Sequence, residues 1–132
     1  EWVQPAEAEV TDLDKAWHCI HFLLAGDVGG GVPPAGYLLE GGHRLGDFDV
    51  GFGPARALTP SQACDFADLV APMTKAALHE RYDPAALRAA EVYPDIWDGD
   101  DEFEYVWARF ENLQTFMRRT KAAGEGVIIY LT

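Results

Sequence analysis

Apolar residues recur at three- and four-residue spacing in several stretches of this chain, which is typical of helices that face a core on one side. The spacing predicts a first helix over residues 12–26 and the longest helix over residues 101–123. The capping-box sequence TPSQ at 59–62 starts another helix, and two shorter helices are predicted at about 73–81 and 83–91. The pattern therefore predicts four or five helices.

The sequence predicts fewer extended segments than helices. Residues 26–49 hold eight glycines and two prolines, which predicts a long loop with one short turn. Residues 49–52 and 54–58 are predicted to be short extended segments. The run VIIYL at 127–131 is apolar at every position, which indicates a strand buried on both faces.

The order of these elements predicts an α+β fold, because strands and helices do not alternate regularly. We expect four or five helices packed on a small mixed sheet, with a buried C-terminal strand after the long helix. A single domain is predicted over residues 12–132. Residues 1–11 are polar and contain a proline, so we expect an N-terminal tail or linker there.

Three segments carry a resemblance to a known family: DLDKAWHCIHFLLAG at 12–26, GFGPARALTP at 51–60, and YPxxW at 93–97. In order and spacing they resemble the YfbM-like family of uncharacterised bacterial proteins, over about residues 12–132. The resemblance implies a compact mixed α and β fold and brings no established activity or catalytic residue. Family members begin with a strand and a helix before the first of these segments. That opening and an initiating Met are absent here, so we expect that an N-terminal piece precedes this sequence.

The net charge of the chain narrows the range of functions that it can have. Ten Lys and Arg residues against 22 Asp and Glu residues give a formal net charge of −12. Nucleic-acid binding is disfavoured, because it requires a cationic surface, and no apolar run approaches the roughly twenty residues that a bilayer requires. Cys19 and Cys64 lie within helical patterns, so we predict reduced thiols in a cytoplasmic protein.

The first helix carries a stripe of polar residues, Asp14, His18 and His21, at helical spacing. A carboxylate four residues before an imidazole can orient it, and two imidazoles three residues apart can share a ligand. A metal half-site and an acid/base pair are therefore open interpretations. We favour structural histidines, because a third strong ligand at a recognisable spacing is missing. No metal or cofactor is predicted.

Arg56 is flanked by alanines in a predicted strand, so we expect its guanidinium to be half-buried and to need a partner. That partner is either an internal carboxylate, such as Asp14 or Glu91, or an anionic ligand.

The aromatic residues Trp17, Tyr93 and Trp97 are predicted to anchor the core and a turn. Alternatively, they line an apolar pocket in which Arg56 and His21 supply the polar groups.

Two functions remain open. The first is a small acidic binding or interaction protein without catalytic activity, in an immunity-like version whose acidic 95–104 segment masks a basic toxin or nuclease. The alternative is a small-molecule enzyme or sensor with a pocket near His21 and Arg56 that takes an anionic ligand. The candidate ligand-binding residues are Asp14, Trp17, His18, His21, Arg56, Tyr93 and Trp97.

Overall fold

Five helices and three strands follow one another along the described part of the chain. The structure is a computed structural model that describes residues 10–49 and 54–131. The elements in chain order are a short 3-10 turn over Asp14–Ala16, α1 (Trp17–Ala25), β1 (His43–Asp49), β2 (Pro54–Leu58), α2 (Pro60–Val70), α3 (Lys75–Arg81), α4 (Pro84–Ala89), α5 (Asp101–Ala123) and β3 (Val127–Ile129). The predicted α+β class is confirmed.

Local capping signals set several helix boundaries. The Thr59 hydroxyl accepts a hydrogen bond from the Gln62 backbone N–H, and the Gln62 side chain accepts one from the Thr59 N–H, so the predicted capping box forms. Gly26 and Gly124 end α1 and α5 in the left-handed conformation, at φ of 75° and 67°. Glycine adopts this conformation without a Cβ clash. These helix ends are therefore encoded locally.

The sheet has the strand order β1-β2-β3, and both described strand pairs are antiparallel. The prediction of a mixed sheet is wrong for the described strands, because no parallel pair occurs among them. β1 lies inside the region predicted as a long loop. Its sequence HRLGDFD has few apolar residues, and Gly46 has a φ of 73°, so only pairing with β2 makes it a strand. The predicted segment at 49–52 falls mostly outside the described residues.

The C-terminal strand follows the long helix as predicted, but the prediction that both of its faces are buried is wrong. Val127 and Ile129 pack against the core. Ile128 and Tyr130 point the other way and are 63% and 59% exposed. The reason is that successive side chains of a strand point to opposite faces, and the core covers only one face of this antiparallel sheet at β3.

The main core contact lies between α2 and α5. Phe66 and Val70 of α2 and Phe110 and Met117 of α5 are almost completely buried. Full burial of each such side chain contributes roughly 1.5–3 kcal/mol relative to exposure. The α2–α5 pair is therefore the frame against which the smaller elements pack.

The buried side-chain amide of Gln114 on α5 donates hydrogen bonds to backbone carbonyls at the end of α2. The Gln114 side-chain N–H donates to the carbonyl oxygens of Val70 at 3.0 Å and Met73 at 2.7 Å. Arg118 donates to the carbonyl of Ala71. The last carbonyls of a helix have no partner within it. These two side chains supply the missing donors, and Gln114 is not marked out by any sequence pattern.

The two cysteines are both free, and their environments differ. Cys19 on α1 is completely buried, and burial raises the pKa of its thiol to about 12. Cys64 on α2 is half-buried. We expect N-ethylmaleimide to modify Cys64 at least about a hundredfold faster than Cys19 in the native protein, because only the thiolate reacts. Mass spectrometry of the alkylated protein measures both rates. Two equally fast modifications, or a fast one that persists in Cys64→Ser, would contradict this assignment.

Candidate functional site

Two of the predicted site residues, Tyr93 and Trp97, lie where the chain leaves α4 and enters α5. Trp97 is 1% exposed and its indole N–H donates to the Val92 carbonyl at 3.0 Å. The Arg88 guanidinium donates to the Trp97 carbonyl, and the Tyr82 hydroxyl donates to the Gly99 carbonyl at 2.7 Å. The segment is therefore fixed to the domain by a buried ring and by donors from the helices before it.

His18 attaches the same segment to α1. Its Nδ1 accepts a hydrogen bond from the Tyr93 backbone N–H at 3.0 Å, and its Nε2 donates to the Val28 carbonyl at 2.7 Å. The Trp17 ring stacks with both rings, with its centroid 5.1 Å from that of His18 and 5.6 Å from that of Tyr93. Both nitrogens of His18 are engaged, so its role in this geometry is to hold Tyr93 in place.

The outer surface of this segment combines apolar and acidic side chains. Tyr93 is 44% exposed and Ile96 is 38% exposed. The carboxylates of Asp95, Asp98 and Asp101 lie among them and are also exposed. We call residues 93–101 the acidic-aromatic segment. It presents two large apolar side chains surrounded by negative charge.

Two polar contacts lie at the end of this segment. The His79 Nε2 atom lies 3.4 Å from the Asp100 carboxylate, and Lys75 forms a 2.7 Å ion pair with Glu104, just beyond the segment. Asp95, Asp98 and Asp101 have no ion-pair partner among the residues that the structure describes. Their negative charges are therefore available to a partner molecule.

Asp14 does not pair with His18, contrary to the geometry that an uninterrupted helix implies. It lies in the 3-10 turn with a φ of 51°, so the spacing of an α-helix does not extend back to it. Its carboxylate instead accepts a 2.6 Å hydrogen bond from the Tyr105 hydroxyl, and Arg109 lies 4.0 Å away. The Tyr105 hydrogen bond lowers the pKa of Asp14. Asp14 joins the start of α1 to α5 and is not part of the acidic-aromatic segment.

His21 lies in the core, where it is 0% exposed. The backbone of Gly30 is close to its ring, but neither ring nitrogen has a partner with hydrogen-bond geometry within the described residues. Burial lowers the pKa of His21, against smaller opposing effects of the Gly30 backbone, Asp27 and Glu40. This imidazole has no route to solvent in this structure.

Arg56 is half-buried, as predicted, but its predicted ion pair with Asp14 or Glu91 does not form. Its guanidinium donates to two backbone carbonyls, at 2.7 Å to Leu38 and 3.0 Å to Gly41. Those carbonyls belong to the turn region before β1. The sequence alone does not show that this turn region lies against β2. Burial lowers the pKa of Arg56, and Glu40 has a smaller, opposite effect.

Two concave surfaces of the described part of the chain bear on the predicted pocket. One, about 630 Å³, is an open groove between α2 and α5 that includes Asp68, Arg118 and Lys121. The other, about 150 Å³, lies at the sheet and includes Arg56. Neither of these two surfaces includes His21, which is 0% exposed.

The structure brings some of the predicted site residues together and places others far from them. Trp17, His18, Tyr93 and Trp97 support one surface segment, whereas Asp14, His21 and Arg56 lie in three different environments. Tyr105 was missed, because its aromatic ring fits the core pattern of α5 equally well. Ile96 was missed as an exposed apolar residue, although its acidic neighbours in the sequence were a usable signal.

Two further observations concern ligands and membranes. Within residues 10–49 and 54–131, no group of three or more His, Cys, Asp or Glu side chains is placed to hold a metal ion. Over the same residues, no helix combines the length and the hydropathy that crossing a bilayer requires.

Fold and surface together define a small α+β domain with one acidic, partly apolar segment on its outside. A sequence-family model described as a domain of unknown function, DUF1877, matches residues 1–130, and the chain belongs to this family. The crystal structure of YfbM from Escherichia coli, described as a protein of unknown function, is similar with a TM-score of 0.66 and 20% identity. The alignment covers 87% of this chain and 75% of that chain. The search of curated proteins returned no match.

The resemblance inferred from the three sequence segments is thus confirmed. At 20% identity the similarity to YfbM establishes the fold and nothing about activity.

Proposed function

We propose that this protein is a small cytoplasmic interaction domain that binds a basic partner protein through the acidic-aromatic segment. The observation that carries the proposal is the exposure of Tyr93 and Ile96, at 44% and 38%, among carboxylates that have no ion-pair partner within the described chain. Exposed aromatic and aliphatic side chains rimmed by charge are typical of protein-binding surfaces.

Charge selects the class of partner. The chain carries a formal net charge of −12, and opposite charge on a partner speeds its approach and excludes acidic competitors. Arg and Lys side chains can also lie over the exposed face of Tyr93 while Asp95 or Asp98 accepts their hydrogen bonds. A basic surface with arginines at its centre therefore fits this segment best.

Rigidity is the second argument. Ordering a loop on binding costs about 0.5–1.5 kcal/mol for each long side chain that becomes immobile. Here the segment is already held by the buried Trp97 ring, by the His18 hydrogen bond to Tyr93 and by Arg88. Less of the interaction energy is therefore spent on ordering.

The finer version of the proposal is an immunity-like protein that covers a basic toxin or nuclease and needs no catalysis of its own. The engagement of both His18 nitrogens and the complete burial of His21 support a role without catalysis. The two free cysteines support a reducing, cytoplasmic environment.

The test begins by isolating partner proteins that bind the wild-type protein at about 0.15 M salt and are released from it at about 0.5 M salt. Their affinities are then measured for a loop variant and a matched variant with the same net charge. The loop variant carries Asp95→Lys, Asp98→Lys and Asp101→Lys. The matched variant carries Asp65→Lys, Glu111→Lys and Glu125→Lys.

We expect the loop variant to bind a true partner at least about a hundredfold more weakly, while the matched variant loses less than about tenfold. Tyr93→Ala, which keeps every charge, is expected to weaken binding by about thirtyfold. Equal losses in the two charge variants would show that only net charge matters and would reject the segment as the binding site.

A further inference from the structure

Strand register places two arginines directly opposite each other on the sheet. Arg44 of β1 pairs with Arg56 of β2, and Arg56 pairs with Ile129 of β3. Side chains at paired positions project from the same face of a sheet. Arg44 also takes part in other contacts, so the inference depends on Arg56. In a protein with 22 acidic and ten basic residues, this pairing of cations is notable.

Arg56 is the more constrained of the two. It is half-buried, and its hydrogen bonds go to the neutral carbonyls of Leu38 and Gly41. It has no ion-pair partner among the described residues, and Glu40 influences it only from beyond ion-pair distance. A guanidinium carries five N–H donors, of which these two bonds use two. Arg56 therefore retains three N–H donors that these two hydrogen bonds do not use.

A cavity of about 150 Å³ opens beside this guanidinium. Both arginines line it, and its other walls are mainly apolar. The lining residues are Leu39, Arg44, Pro54, Arg56, Ile129, Tyr130 and Leu131. The volume is below the range of about 300–1,000 Å³ typical of sites for drug-sized ligands. It suits a small organic molecule, such as a single-ring acid.

We propose that this cavity binds a small organic acid, with its carboxylate against Arg56 and Arg44 and its apolar part against Ile129 and Leu131. A planar carboxylate matches the planar fork of a guanidinium. Arg44 takes part in other contacts as well, and it acts here as a second positive charge over the same cavity. This inference is independent of the partner proposed for the acidic-aromatic segment.

The apolar walls decide between a carboxylate and a phosphate. A phosphate would turn some of its oxygens toward Leu39, Ile129 and Leu131, where no donor replaces the lost water. An aromatic or short aliphatic acid presents carbon to those side chains. The remaining carboxylates of the protein lower the affinity for any anion, so we expect a Kd for benzoate of about 1 mM.

Titration of the isotopically labelled protein with sodium benzoate, followed by two-dimensional NMR, tests the proposal. Sodium chloride and sodium phosphate at equal ionic strength are the comparison salts. We expect saturable shifts at the amides of Arg56, Ile129 and Tyr130 with benzoate only. Arg44→Gln is expected to weaken binding about tenfold, and Lys15→Gln, which removes an exposed cation elsewhere, is expected to leave it unchanged.

Leu131→Glu places a negative charge on the cavity wall without altering either arginine, and we expect it to abolish the shifts. The proposal fails if wild-type protein responds to benzoate no more than to chloride, or if Arg44→Gln and Leu131→Glu bind as wild type does. Equal or tighter binding of phosphate at the same amides would overturn the assignment to organic acids.

Discussion

Replacing Trp97 with alanine is expected to lower the free energy of unfolding by about 3–5 kcal/mol, the range for truncating a buried aromatic ring. The ring is 1% exposed and packs edge-on against Tyr82, with centroids 6.4 Å apart. Its N–H is bonded to the Val92 carbonyl. Alanine therefore leaves a cavity and removes the donor for that carbonyl. Urea denaturation followed by circular dichroism measures the change.

Two variants separate packing from the hydrogen bond. Trp97→Phe keeps most of the ring but removes the N–H, and we expect a loss of about 1–2 kcal/mol. Trp107→Ala removes the same side chain from a half-buried position on α5 and should cost clearly less than Trp97→Ala. If Trp107→Ala is as destabilising as Trp97→Ala, Trp97 is not the anchor of the acidic-aromatic segment.

Replacing His21 with leucine is expected to raise the free energy of unfolding at neutral pH by about 1–3 kcal/mol, the usual penalty for a buried polar group without partners. His21 is 0% exposed, and neither ring nitrogen has a hydrogen-bond partner within the described residues. Leucine has a similar size and no polar atoms. His21→Met, with a more adaptable side chain, provides a second replacement if leucine packs poorly.

The same substitution should change how stability depends on pH. Burial lowers the pKa of His21 from its ordinary value of 6.5. Below about pH 6.5 the unfolded chain therefore binds a proton that the folded protein does not, and the stability of the wild type falls as the pH decreases. Above that pH the contribution is constant. The difference in stability between His21→Leu and wild type should grow as the pH falls from about 6.5.

His43→Leu is the control for this experiment, since it replaces an exposed imidazole on β1. We expect it to change the free energy of unfolding at neutral pH by less than about 0.5 kcal/mol. A His21→Leu variant that is less stable than wild type at every pH, together with the same result for His21→Met, would mean that the imidazole is satisfied in the native protein.

These two positions show where sequence reasoning succeeds and where it stops. Trp97 was predicted to anchor the core and a turn, and its ring is 1% exposed with its N–H bonded to the Val92 carbonyl. The polar side chains along the first helix were expected to form their hydrogen bonds mainly with one another. His18 and Asp14 do find partners, but those partners are Tyr93 and Tyr105, which lie 75 and 91 residues away in the chain.

Local interactions explain the elements that the sequence alone determined. The capping box at Thr59, the left-handed glycines at 26 and 124 and the acidic start of α5 act within one helical turn. The limits of α5 could therefore be predicted from neighbouring residues. Three short sequence segments, in order and spacing, sufficed for the resemblance to the YfbM-like family.

Tertiary structure alone decided the remaining features. β1 is a strand because β2 pairs with it. Ile128 is exposed because the core covers the other face of β3, and Arg56 donates to carbonyls of a turn whose position no local rule gives. Each depends on contacts between residues far apart in the chain, whose free energies outweigh local preference only after the core has formed. The sequence determines which side chains are present and which helices form, and the folded chain determines which of those side chains meet.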